Sequence, residues 1–170
     1  MSTKDIFPIN DINSWIDSIP NSMHSLILSR VDMLDSASKQ LLQCASVIGK
    51  EFYLDMIDQL KGRVDGLSDV QSSIKILEES NFIFLDDKTN LHMFKHNLTQ
   101  EVTYDSILKS NKKLLHGLLA DIIETHYEEK KEEFIEQLAT HYENSDNISK
   151  AKIYLLQAAE KSKNLYNLKQ

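Results

Sequence analysis

The chain has 170 residues, 41% of them hydrophobic, enough to bury a real core as one domain or two small ones. Nineteen basic residues against 26 acidic ones give a net charge of −7, and the deficit is spread over the chain, which argues against a nucleic-acid-binding patch. A single cysteine, Cys44, excludes an internal disulfide framework, and no stretch reaches the roughly 20 apolar residues of a membrane span.

The opening "MSTKDIFPIND" has no apolar run of signal-peptide length, so a cytoplasmic protein is expected. The glycosylation-type patterns Asn97-Leu98-Thr99 and Asn147-Ile148-Ser149 then read as chance. Only four glycines and two prolines punctuate the chain, so helices should dominate.

After Ile19-Pro20, Asn21 or Ser22 is a cap candidate for a helix with Met23, Leu26, Ile27, Val31 and Leu34 on one face. Asp35 restarts the pattern. Ala37, Leu41, Cys44, Ala45 and Ile48 stripe a second helix, with Gly49 where a C-cap belongs. "FYLDMIDQLKG" predicts a short third helix with Leu54, Ile57 and Leu60 inward. "LSDVQSSIKILEESN" predicts a fourth, its Leu67, Val70, Ile74 and Leu77 spaced three, four and three apart.

The period then changes. Phe82-Ile83-Phe84-Leu85 and Leu91-His92-Met93-Phe94 are β-prone runs separated by the polar "DDKTN", a hairpin signal. Helices followed by a hairpin is the order of a winged helix. Asn97 with Gln100 three residues on resembles a capping box for a helix over about 98–108. Leu114, Leu115, Leu118, Leu119, Ile122 and Ile123 then form two adjacent apolar ridges on the clearest helix. "EEKKEEF" reads as a charged helix start or linker.

Phe134, Ile135, Leu138, Ala139 and Tyr142 stripe one further helix, "ENSDN" turns the chain, and Ile148, Ala151, Leu155, Ala158 and Ala159 stripe its partner. Small residues at the crossing and a short polar turn suit a tetratricopeptide-like pair. One pair cannot bury its own faces, about three units being needed for stability, so the chain is expected to be a piece of a longer protein. The division expected is a linker and leading helix over 1–34, a winged helix over 35–108, and a helical tetratricopeptide-like region over 109–170, truncated at its C-terminal end. Leu155, Tyr166 and Leu168 would lie on the exposed repeat edge.

Three ordered blocks resemble large signalling ATPases of the STAND type, in the segment that follows their nucleotide-binding core, including those joined to class III adenylate or guanylate cyclases. The first block is Ile19-Pro20, Arg30-Val31-Asp32-Met33-Leu34, Ala45-Ser46-Val47-Ile48-Gly49 and Phe52. The second runs Phe94-Lys95-His96 to Gln100-Glu101-Val102-Thr103-Tyr104, with His116 following the basic Lys112-Lys113. The third is "LATHYENSDNISKAKIYLLQAAEKS". No Gly-x-x-x-x-Gly-Lys-Ser/Thr loop and no cyclase sequence is present.

The resemblance therefore implies a non-catalytic regulatory arm, packing on an upstream nucleotide-binding domain and starting a partner-binding superhelix. It implies no cofactor held by this chain alone, and ATP or ADP held by the parent protein. It also implies that His96 contacts a nucleotide phosphate on that upstream domain. Beside this stands the plainer alternative, a structural His96 whose ring bonds the backbone near the Asn97 cap.

A winged-helix DNA-binding regulator is the rival. Its reading helix would carry Asp69, Glu78 and Glu79 against Lys75, and an acidic head repels phosphate. Metal binding has little to stand on: His92 falls on a strand and His96 at a turn, and His116, His126 and His141 occupy separate helical positions. His116 reads as a surface or interface residue, and Cys44 as a buried, inert thiol. No convergent set suggests an enzyme.

Overall fold

A computed structural model describes residues 22–167 of the chain. The Ile19-Pro20 element, the Asn21 cap candidate, Leu168 and the side chain of Tyr166 lie outside what is described. The protein is mainly helical, with a small three-stranded antiparallel sheet. No helix among the described residues is long and apolar enough to cross a membrane.

Residues 22–32 form α1. Its expected stripe is only partly buried: Val31 is in the core and Ile27 and Leu34 pack against it, while Met23 and Leu26 are exposed. Arg30 gives this short contact its direction. Its guanidinium donates to the Ser80 carbonyl at 2.7 Å and stacks over the Phe82 ring at 4.7 Å.

Asp35 caps α2 (Ser36–Ile48), its side chain accepting from the Ala37 and Ser38 N–H groups at 3.0 Å. Gly49 ends the helix at φ 148° and ψ −161°, a region in practice reserved for glycine. Of the stripe read from sequence, Leu41, Cys44, Ala45 and Ile48 are buried and Ala37 is half-buried, but Ser38, Leu42, Ser46 and Val47 are buried as well, so the helix is enclosed on more than one face.

A two-residue strand follows, β1 (Glu51–Phe52), which hydrophobic periodicity is too short to announce. Next come α3 (Leu54–Leu60) and α4 (Val70–Glu79), the latter capped by Asp69. Val70, Ile74 and Leu77 face the core as their spacing requires. Asn81 turns out of α4 at φ 58°, a left-handed position that asparagine tolerates.

The hairpin is β2 (Ile83–Asp86) and β3 (Leu91–Phe94). Sheet order is β1-β3-β2, with Phe52 opposite His92 and Ile83 opposite Phe94. The strand begins and ends one residue later than the apolar run. Asp86 belongs to β2 through its pairing with Leu91, and its carboxylate also closes the turn, accepting from the Lys88 N–H and the Thr89 hydroxyl. On β3, His92 and Phe94 face inward against Phe52.

The last half is α5 (Asn97–Asp105), α6 (Lys109–His126), a 3-10 stretch (Glu128–Phe134), α7 (Ile135–Asn144) and α8 (Ile148–Asn167). Thus the helix expected over 98–108 stops early. Ser106 donates to the Thr103 carbonyl and Ile107 turns into the core before α6 begins.

Of the two ridges on α6, Leu115, Leu119, Ile122 and Ile123 are buried and Leu114 is exposed. α6 packs on α2 and α3 on one side and on α7 on the other. One continuous hydrophobic cluster therefore runs from Val31 to Tyr154.

The stripe expected on α8 is wrong in register. Ala151 packs inward, but Ile148 and Leu155 are exposed, and Tyr154 takes the buried place. Tyr154 stacks on Tyr142 with ring centroids 5.5 Å apart and donates to Glu124, contacts an apolar count cannot see.

Candidate functional site

His96 lies two residues beyond the central strand. The backbone leading to it is fixed on both sides, the Phe94 N–H donating to the Lys50 carbonyl and the Lys95 N–H to the Phe82 carbonyl, each at 3.0 Å. His96 itself is extended, at φ −138° and ψ 134°, and forms the N-cap of α5. Its carbonyl accepts from the Thr99 N–H at 3.0 Å, while its ring is exposed and makes no cap bond.

Two expectations change here. Asn97 is the first helical residue rather than the cap, and Gln100 does not reach back to it. The Gln100 amide instead donates to the Ser46 carbonyl at 2.7 Å, tying α5 to the last turn of α2. That carbonyl is one of those a helix end leaves unpaired, so a long-range bond outcompeted the local box. Nor does the His96 ring bond the backbone of the α5 cap.

His92 and His96 do not converge. His92 is buried and stacks on Phe52 with centroids 5.6 Å apart, whereas His96 is exposed. Among the described residues no group of three or more His, Cys, Asp or Glu side chains is placed to hold a metal.

Two histidines assigned to separate positions do meet. His116 of α6 is buried, not at the surface, and its Nδ1 lies 2.8 Å from Nδ1 of His141 on α7. One Nδ1–H donates to the other nitrogen. Tyr104 of α5 completes the line, its hydroxyl 3.0 Å from His116 Nε2. Nε2 of His141 has no partner among the described residues.

Burial holds both imidazoles below the usual histidine range, the Lys112 ammonium adding to the effect on His116 and His116 to that on His141. The signal was in the spacing: His116 follows Leu115 and precedes Leu119 by one turn, and His141 stands three beyond Leu138. Both fall on faces already assigned to the core.

No protein-family model, curated protein or solved structure matches the chain.

A second polar cluster closes the far end. Glu124 of α6 accepts from Lys150 Nζ and from the Tyr154 hydroxyl, each at 2.5 Å, and Lys150 also donates to the Tyr142 oxygen at 2.9 Å. Burial pushes the Glu124 carboxyl up, but these bonds outweigh it and bring it down to about 2. The cluster fixes α8 against α6 and α7. Cys44 is enclosed, and burial pushes its thiol up to about 11, which makes it a poor nucleophile at neutral pH.

Proposed function

We propose that the chain is a non-catalytic regulatory and interaction module of a larger STAND-type signalling ATPase, of the kind found joined to class III cyclases. In this reading α2 to α5 and the small sheet form a winged helix that packs on an upstream nucleotide-binding domain. His96 is the nucleotide-phosphate sensor, and α7 and α8 begin a tetratricopeptide-like superhelix that binds other proteins. ATP or ADP is the parent's ligand, held upstream of this chain.

The observation that carries the reading is the state of His96. It is exposed at the N-terminus of a nine-residue helix, on a backbone pinned from both sides, and its ring makes no cap bond. Such a ring can add its N–H to the positive end of a helix facing an anion. Ile148, Leu155 and Leu156, all exposed on α8, support a superhelix that continues by covering this face.

DNA binding has less support. The exposed part of α4 and its flanks carries three acids against one lysine, and the hairpin turn adds Asp86 and Asp87 against Lys88. Phosphate contacts need the opposite sign.

The test is calorimetric titration of ADP and ATP into this chain and into the longer protein with its nucleotide-binding domain, each with His96 and with His96→Ala. Binding confined to the longer protein and weakened by the substitution supports the reading. Equal affinity with either residue refutes phosphate sensing.

A further inference from the structure

A cavity of about 590 Å³ opens between α3, α4 and the β2–β3 hairpin; His96 is not among its lining residues, and its size is within the range of ligand sites. Its wall carries two carboxylates, Asp55 and Glu78, with the Tyr53 ring and the apolar Ile74 and Leu85, and among the described residues no lysine or arginine lines it. An acidic pair on a surface would be solvated and unremarked. Here a buried group shares the cavity with it.

His92 lines the same cavity and is only 6% exposed. Its Nε2 stands 3.7 Å from Glu78 Oε1, too far for a hydrogen bond, and its Nδ1 has no partner among the described residues. Burial lowers the His92 pKa more than Glu78 raises it, so at neutral pH the ring is uncharged and leaves Glu78 uncompensated.

Asp55 is in a similar position. Its hydrogen bond comes from the neutral Tyr127 hydroxyl at 2.5 Å, which brings no positive charge. Lys75, one turn before Glu78 on α4, is directed to Glu79 at 3.9 Å.

We propose that this cavity receives a cationic side chain, a guanidinium or an ammonium, presented by a protein partner. The two carboxylates take its N–H donors, the face of Tyr53 lies beside the charge, and Ile74 and Leu85 cover the aliphatic stem. The site is independent of His96 and of any nucleotide, so it stands or falls separately from the sensor reading.

The experiment is an isotope-edited NMR titration of the full chain with N-acetyl-arginine amide, N-acetyl-lysine amide and N-acetyl-citrulline amide. Citrulline keeps the shape of arginine and removes its charge. The expected result is saturable shifts at His92, Glu78 and Tyr53 with arginine or lysine, about tenfold weaker with citrulline, as loss of a charge-assisted pair implies. The stronger of the two cations identifies the group. Glu78→Gln and, separately, Asp55→Asn should each weaken the cation about three- to tenfold at unchanged circular dichroism. Both side chains are partly or fully exposed, so the two variants keep the fold. Shifts that do not saturate, that scatter over the acidic surface, or that are equal for citrulline and arginine overturn the proposal.

Discussion

Acid should loosen the junction of α5, α6 and α7 before it affects most of the core. His116 and His141 are 3% and 2% exposed, and their mutual hydrogen bond uses the Nδ1 atoms of both. An added proton is poorly accommodated: only His116 Nε2 has a possible acceptor, the Tyr104 oxygen, and there the charge stays buried beside the Lys112 ammonium. On Nδ1 it would set two N–H groups against each other, and on His141 Nε2 it would create a buried donor without a partner.

The folded pKa values are therefore depressed, and the sign follows. The stability these groups contribute is complete above the unfolded value near 6.5 and is lost as pH falls below it toward the folded values. By pH 5 an unfolded histidine gains about 2 kcal/mol from protonation that a ring kept neutral forgoes, so the pair should lose about 4 kcal/mol. Urea unfolding at pH 7 and pH 5 measures the loss, and His141→Leu should cut it by about half. The substitution also destabilises at pH 7, by about 1–3 kcal/mol for an unpaired His116 Nδ1, but comparing each protein with itself removes that effect. An equal loss in both proteins, or an imidazole signal of His116 or His141 titrating near 6.5, would refute the argument.

Glu124→Gln should lower the urea midpoint by an amount corresponding to about 1–3 kcal/mol, because Lys150 loses its charge partner while Tyr142 and Tyr154 keep theirs only in part. The same carboxylate, held at about 2, adds stability that is present above its unfolded value and lost as pH falls toward 2, an acid limb the variant should lack. Leu119→Ala, at a fully buried site on α6, should cost about 2–5 kcal/mol in denaturant unfolding. Gln100→Ala should cost about 0.5–1.5 kcal/mol and speed hydrogen exchange at the end of α2, where the Ser46 carbonyl loses its donor.

The helices were legible where one face alone decides burial. α4 and α7 show their buried stripes in sequence because their apolar residues share one face, whereas α2, packed by α3, α4, α5 and α6, shows only part of its buried surface; the hairpin shows because its turn residues are polar and its strands apolar. Legibility fails where a long-range bond sets the register. Gln100 could not be assigned to Ser46 from 54 residues away, nor Tyr154 to Glu124 across 30, and the two-residue β1 exists only through pairing with Met93 and His92. The His116–His141 contact belongs to the same class. Each histidine sits at a core position of its own helix, but which helices face each other is not written in either period.

The residues that carry the family resemblance divide in an informative way. Arg30 closes the end of α4, Asp32 pairs with Lys39, Gly49 ends α2, and Phe52 and Phe94 fill the core. Gln100 binds the Ser46 carbonyl and Tyr104 reaches His116. Each of these would be required by the fold whatever the protein did. His96 is different: its ring is exposed, makes no cap bond, and follows a strand end held by two backbone hydrogen bonds. Replacing it by alanine should change stability by no more than about 0.5 kcal/mol, as for an exposed side chain away from structural features. A stability loss well beyond that would assign the ring an internal role and leave the sensor reading without its basis. A negligible loss, joined to weakened ADP binding in the longer protein, would mean that this position is kept for a contact outside the module.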